Sequence, residues 1–248
     1  MELCSTLNYP LLHAATLIWK EHADMAEKNY PIGYGRIQPV SDYRPWDVDE
    51  EFRRVSEPLR SYTMVDDMRM YELWTLSAEA LKRDGDLLEV GVWRGGSGAL
   101  LAARAQAAGR RTWLADTFQG VVKAGPKDEY YKGGEHANTT MDFVREALAT
   151  LDDASDVEIL EGIFPDDTGD QVRSAQFCFV HVDVDVYQSA LDVFEWAWPR
   201  MSVGGMVVFD DYGFYGCEGV TRCVDELRDG GDRVFFHNLN GHAVLLKL

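Results

Sequence analysis

Residues 86–105 read DLLEVGVWRGGSGALLAARA, and this stretch decides the fold. A short apolar run, Leu87–Val90, carries one acid, Glu89, and ends at Gly91; Gly95 and Gly96 follow, and a helical stretch of small residues opens near Ser97. Strand, glycine turn and helix in that order make the first part of a βα unit. Glycines at such a turn reach positive φ and let a ligand approach the backbone. Dinucleotides use the same architecture, but the spacing here is G-x-x-x-G-G, not G-x-G-x-x-G. A carboxylate two residues before the first glycine repels a pyrophosphate and attracts an α-ammonium such as that of methionine. The stretch therefore favours S-adenosylmethionine over a nicotinamide dinucleotide, with a ligand-free structural turn as the plain alternative.

From Asp86 on, strand-like apolar runs alternate with helical ones. The strand candidates are Leu87–Val90, Thr112–Ala115, Val157–Leu160, Phe177–Val182 and Met206–Phe209; Gly98–Ala108, Thr140–Thr150 and Tyr187–Pro199 read as helices between them. That alternation predicts a doubly wound, mostly parallel α/β sheet. Arg233–Phe236, Asn240-Gly241 and Ala243–Leu246 predict a closing antiparallel hairpin. Five parallel strands and a terminal hairpin form the Rossmann-like pattern usual for class I methyltransferases.

Ahead of this core the text changes. Met1 to about Lys28 reads as helix, and 29–46, NYPIGYGRIQPVSDYRPW, holds no regular element for long. Its aromatics and arginines suit a lid. An acidic patch, Asp47–Glu51, precedes a helix at Met68–Leu81. The expected organisation is a helical and lid extension over 1–61 and a methyltransferase domain over 62–248, with self-association into a homo-oligomer through the N-terminal helix.

A chain of 248 residues with 46% apolar residues supports one large core. The net charge of −18 argues against nucleic acid and anionic membrane surfaces as partners, and suits a cationic cofactor or metal. No apolar run is long enough for a membrane span. The run Leu11–Trp19 follows an acid and leads into Lys20, Glu21 and His22, so no secretory signal is expected and the cytoplasm is the expected compartment. Cys4, Cys178, Cys217 and Cys223 form no CxxC pair and read as reduced, mostly buried thiols.

The remaining chemistry is carried by acids at strand ends. RTWLADTF places Asp116 at the carboxyl edge of the second strand, where it can take ribose hydroxyls or cap a turn. FVHVDVDVYQS places Asp183 and Asp185 at the end of the fourth, two residues apart and so facing one side. Met206–Phe209 delivers Asp210 and Asp211 to the end of the fifth. Adjacent strands lie about 4.8 Å apart, so four carboxylates converge at the edge where open α/β sheets bind ligands. They must share protons or a cation, and an all-oxygen set suits Mg²⁺. Helix capping and polar loops are the plainer roles open to the same acids. His181, two residues before Asp183, is a second candidate base or a buried core histidine. His136 lies in a charged, Gly-rich loop that suits an acceptor lid or a solvated surface. Trp196 and Trp198 read as packing residues.

EVGVWRGG, ADTFQG, EGIFPDD, HVDVDVYQSALD and MSVGGMVVFDDYG, in this order and preceded by YTMV at Tyr62–Val65, closely resemble the TylF/MycF/NovP family of macrocin-type O-methyltransferases. The resemblance runs from Tyr62 to Val224. Members methylate deoxysugar hydroxyls of glycosylated antibiotics with S-adenosylmethionine and Mg²⁺. The resemblance implies cofactor contacts at Thr63, Met64, Glu89, Gly91, Asp116 and Asp183, with Phe118 beside the cofactor and Gly162, Ile163 and Phe164 near the adenine. It implies metal ligation by Asp183, Asp210 and Asp211, and Asp185 as general base. Val184 stands where the family has glycine, and Val121-Val122 where it has Leu-Pro. The expected acceptor is a small glycoside. A metal-dependent catechol- or phenol-type O-methyltransferase and, from another class, a nicotinamide-dependent oxidoreductase are the competing readings.

Overall fold

The computed structural model describes residues 30–37 and 40–248, in two compact units, Met1–Arg36 and Ile37–Leu248. The helix expected over Met1–Lys28, and Cys4, lie outside the described residues. In the first unit the described residues form a turn in which Tyr34 N donates to Pro31 O at 3.1 Å. The second unit includes residues 40–61, which the sequence reading assigned to the extension.

A seven-stranded sheet organises the second unit. Its strands are β1 Asp86–Val90, β2 Thr112–Asp116, β3 Val157–Glu161, β4 Phe177–Val182, β5 Met201–Phe209, β6 Arg233–His237 and β7 Ala243–Lys247. The order across the sheet is β3-β2-β1-β4-β5-β7-β6; the first five run parallel and the last two pair antiparallel. The expected hairpin is present, with its strands reversing over 238–242. The helices are α1 Glu50–Leu59, α2 Asp67–Ala80, α3 Gly96–Ala107, α4 Met141–Leu148, α5 Tyr187–Ala197 and α6 Glu218–Leu227.

Strand alternation divides the core in two. Leu87, Leu114, Phe179, Val208 and Val244 face α1–α4, packing with Phe52, Leu73, Trp74, Leu100 and Leu101. Leu88, Ala115, Val180, Val207 and Leu245 face α5 and α6, packing with Ala190, Val193, Phe194, Val220 and Val224. β4 is buried along its whole length, as a strand between two helical layers must be. α1 and α6 went unread in the sequence. The acidic patch belongs to α1: Asp49 caps it, accepting from Phe52 N at 3.0 Å, and Glu50 and Glu51 fill its first turn, where acids suit the helix dipole. Asp66 caps α2 through Met68 N and Arg69 N. Cys178, Cys217 and Cys223 are free and buried, as expected. Among the described residues no helix is long and apolar enough to cross a membrane.

Candidate active site

The carboxyl ends of β1, β2, β4 and β5 meet at one edge, as the strand reading requires. Gly91 holds two of them together. It sits at φ +90°, and a Cβ there would lie 1.6 Å from the Asp183 carbonyl oxygen. Its glycine is thus required by the crossing of the β1–α3 loop over the end of β4, in addition to any ligand. Gly96 answers a second contact: its N–H donates to Tyr62 O at 2.9 Å, and a Cβ would lie 2.7 Å from Thr63 Cβ. The Tyr62–Val65 segment is thereby seated on the N-terminus of α3, with Thr63 Oγ1 accepting from Val65 N and Met64 exposed.

Asp116 fastens the same loop. Its Oδ2 accepts from Val92 N and Trp93 N, each at 2.8 Å, and its Oδ1 from Phe118 N at 2.7 Å. Burial raises its proton affinity against the lowering effect of these amides. A carboxylate offers about four acceptor sites, so capacity for a hydroxyl remains. Gly162 N donates to the Asp116 carbonyl and Ile163 N to Asp167 Oδ2, which draws the β3 loop to this edge. The Phe164 ring is buried and packs edge-on against Trp196 at 4.8 Å.

Glu89 departs from its expected setting. It is fully buried; Oε1 pairs with His181 Nδ1 at 2.8 Å, while Oε2 has no hydrogen-bond partner and lies 2.5 Å from the Cβ position of Gly98. It stands one layer beneath the edge, facing α3. His181 is likewise fully buried, and its Nε2 has no hydrogen-bond partner.

The four aspartates separate into two environments. Asp210 is buried at 2% exposure, and Arg69 Nη1 donates to its Oδ1 at 2.5 Å. The backbone N–H of Asp211 donates to that oxygen at 3.0 Å, and His242 Nε2 lies 3.4 Å away. Burial alone would raise the Asp210 pKa, but Arg69, His242 and His181 hold it at about 2. Arg69 is braced by Asp66 at 2.8 Å, and His242 Nδ1 by Glu72 at 2.6 Å. The ligand atoms of His181, Asp210 and His242 all lie within 4.8 Å of one another.

Asp183, Asp185 and Asp211 are compensated less: Arg69 lowers Asp211 and His136 lowers Asp185, but burial prevails at each. Burial, then repulsion from Asp210, holds Asp183 and Asp211 well above the usual carboxylate range, with further repulsion from Asp185. Burial also raises Asp185, against the lowering effect of a hydrogen bond from Tyr131 and of nearby His136. Asp185 and Asp211 bring their oxygens within 4.8 Å of each other and of Cys217 Sγ. Of the expected metal ligands, Asp183 and Asp211 belong to this rim and Asp210 to the buried nest behind it. Arg69, Glu72, Tyr131, Cys217 and His242 are site residues that the sequence reading missed. The segments were read, Met68–Leu81 as a helix, the loop around His136 as an acceptor lid and Asn240-Gly241 as a turn, but not these side chains as parts of the site.

Acids at the ends of β1, β2, β4 and β5, around a glycine loop, on a sheet of this order, define a class I O-methyltransferase core. The same fold occurs in the structure of the O-methyltransferase NovP, with a TM-score of 0.63 and 27% identity over 75% of this chain and 82% of that one. It occurs also in the calicheamicin methyltransferase CalS11, with a TM-score of 0.63 and 16% identity over 86% and 98%. Residues 15–232 match the TylF macrocin-O-methyltransferase family, and the chain belongs to that family. It is an S-adenosylmethionine-dependent O-methyltransferase. Over 200 residues, 74% of either chain, it is 34% identical to the 8-demethyl-8-(2,3-dimethoxy-alpha-L-rhamnosyl)-tetracenomycin-C 4'-O-methyltransferase of Streptomyces olivaceus. It is 32% identical to the mycinamicin III 3''-O-methyltransferase of Micromonospora griseorubida, over 73% of this chain and 76% of that one.

Proposed function

We propose that the enzyme methylates a sugar hydroxyl of a glycosylated natural product in an antibiotic pathway, with Mg²⁺ at the aspartate rim. One observation carries this reading: Asp183, Asp185 and Asp211, at the ends of β4 and β5, repel one another from buried positions, and Asp185 and Asp211 bring their oxygens within 4.8 Å of each other. A divalent cation relieves that repulsion, and oxygen donors suit a hard ion. Asp183 and Asp211, backed by Asp210, are the residues we assign to hold it. The relatives named above, which act on sugar hydroxyls of glycosides, support the acceptor class.

The donor, when bound, supplies an electrophilic methyl carbon, and the cation, when bound, makes a chelated hydroxyl more acidic. The rest falls to the chain. Thr63, Met64, Gly91, Phe118 and 162–164 frame the donor, and Asp116 uses its remaining acceptor capacity on a ribose hydroxyl. We assign Glu89 an indirect part in donor binding, as the buried carboxyl group that orients His181 through its Nδ1. Asp183 serves both sites. Asp185, its proton affinity raised, receives the proton of the acceptor hydroxyl. We place the reaction in the cytoplasm, with a soluble glycoside as partner and the enzyme as a homo-oligomer.

Mass spectrometry of candidate glycosides incubated with enzyme, S-adenosylmethionine and Mg²⁺ tests this reading. The expected product is a singly methylated sugar, lost with EDTA and restored by Mg²⁺. Full turnover in excess EDTA contradicts the metal assignment; methylation of catechols alone contradicts the acceptor assignment.

A further inference from the structure

Behind the rim, strand alternation gathers a second set of ligating side chains on one face of the sheet. Val208 and Val244 point into the layer that packs on α1–α4. Asp210, two residues after Val208, and His242, two residues before Val244, therefore point the same way. His181 pairs with Val208 across β4–β5 and with Glu89 across β4–β1, which puts both on that face too. The layer is otherwise largely apolar, holding Leu73, Phe179, Val208 and Val244.

The two imidazoles are held alike. His181 Nδ1 is hydrogen-bonded to Glu89 Oε1 at 2.8 Å, and His242 Nδ1 to Glu72 Oε2 at 2.6 Å. That leaves each Nε2 as the atom free to ligate, and both are buried without a hydrogen-bond partner. The rings stand edge to face with centroids 5.9 Å apart. The ligand atoms of His181, His242 and Asp210 lie within 4.8 Å of one another. We infer that these three residues form a second metal site, separate from the rim, for a borderline transition-metal ion of the Zn²⁺ class. The inference is independent of the acceptor and of Mg²⁺ at the rim.

Ligand chemistry selects the ion. Imidazole nitrogen suits Zn²⁺ and its neighbours, while Mg²⁺ demands oxygen donors. At Zn–N and Zn–O lengths of about 2.0–2.2 Å, two ligand atoms at the tetrahedral angle stand roughly 3.4 Å apart. His242 Nε2 lies 3.4 Å from Asp210 Oδ1. A metal-binding histidine almost always gives its other ring N–H to a carboxylate, carbonyl or water, which fixes the ring and raises its basicity. Here both histidines have a carboxylate in that place. Arg69 and the Asp211 amide use two of the about four acceptor sites of the Asp210 carboxylate, so ligation leaves the arginine in place. Charge agrees: among the described residues, Asp66, Glu72, Glu89 and Asp210 are tied into this cluster against the one guanidinium of Arg69. The ion joins β4, the end of β5 and the start of β7, with α2 and β1 supplying the outer carboxylates. Its role is structural: it fixes the end of β5, from which Asp211 reaches the rim.

Zinc analysis of the full-length, untagged enzyme tests the inference. Metal-stripped protein is given Zn²⁺ with Mg²⁺ in excess to fill the rim, desalted, and assayed for zinc per chain and for melting temperature. One zinc ion per chain and a raised melting temperature are expected. His181→Ala and His242→Ala should retain none, and Glu72→Gln should weaken zinc binding about 10- to 100-fold. The competing place for zinc is the cluster of Asp185, Asp211 and Cys217. Asp185→Asn and Cys217→Ser should therefore keep the full zinc content. No zinc in the wild type, zinc kept by both histidine variants, or zinc lost with Cys217→Ser overturns the inference. Should the histidine variants fail to fold, X-ray absorption at the zinc edge of the wild type decides. Imidazole nitrogen with oxygen is expected; sulfur in the shell, or oxygen alone, overturns it.

Discussion

The nest around Asp210 and the rim formed by Asp183, Asp185 and Asp211 are built from the same residue type on neighbouring strand ends, yet they behave oppositely. In the nest an arginine and two histidines surround one carboxylate and hold its pKa at about 2. In the rim, burial and mutual repulsion raise three carboxyl groups, Asp183 and Asp211 well above the usual range. The difference is whether a cation is built into the chain. The nest has Arg69 built in beside its acid, whereas in the rim burial and mutual repulsion dominate, a setting that suits ligand binding and proton transfer. A site that must bind an ion and still move a proton needs both halves side by side.

The largest test of this contrast removes the built-in cation. Arg69→Met leaves Asp210 buried without its arginine, with only the two histidines and a backbone N–H beside it, and removing one partner of a buried pair costs about 3–5 kcal/mol. Urea unfolding should show that loss, and a loss near zero would mean the nest is not compensated by Arg69. The rim should respond in the other direction. Without metal, Asp183→Asn or Asp211→Asn removes one of the mutually repelling carboxyl groups and should raise the melting temperature at neutral pH, while abolishing the thermal shift on adding Mg²⁺.

The two halves also titrate with opposite sign. Asp183 and Asp211 have folded pKa values raised above the unfolded value near 4, so the folded state binds more protons above that pH. In EDTA, stability should therefore decline as pH rises from about 4.5 toward 8. Asp210, depressed to about 2, contributes stability above about 4 that is lost as pH falls toward 2. Melting temperatures in EDTA should thus pass through a maximum near pH 4–5, and a profile rising steadily to neutrality would remove the rim's repulsion from the account. The smallest effect is expected far from either half. Arg53 and Glu57 form an exposed ion pair one turn apart, at 2.7 Å, and Arg53→Ala should cost no more than about 0.5 kcal/mol. A larger loss there would mean that variants report general fragility and not the contrast between nest and rim.

Much of this was legible in the sequence, for a local reason. Strand period and the carboxyl-edge rule locate Asp183, Asp210 and Asp211 without long-range information. What separates nest from rim was not legible, because it depends on partners distant in sequence. Arg69 reaches Asp210 across 141 positions, and His242 reaches Glu72 across 170. Glu89 illustrates a related limit. Its place near a strand end was readable, but its depth was set by α3, whose Gly98 leaves room for the carboxylate. Asp49 was read as part of an acidic patch and is a helix cap; the helix it starts is polar over most of its sequence, with Pro58 inside its last turn, which hid a narrow apolar stripe that buries Phe52 and Leu59.

The central claim is that the rim lacks one divalent cation. Isothermal titration of Mg²⁺ into the metal-free enzyme at neutral pH, repeated in two buffers of different ionisation enthalpy, tests it most directly. The account requires a single site whose heat depends on the buffer, because binding displaces protons from the rim, and requires that Asp183→Asn and Asp211→Asn lose it. No heat beyond dilution, or equal binding to both variants, would contradict it.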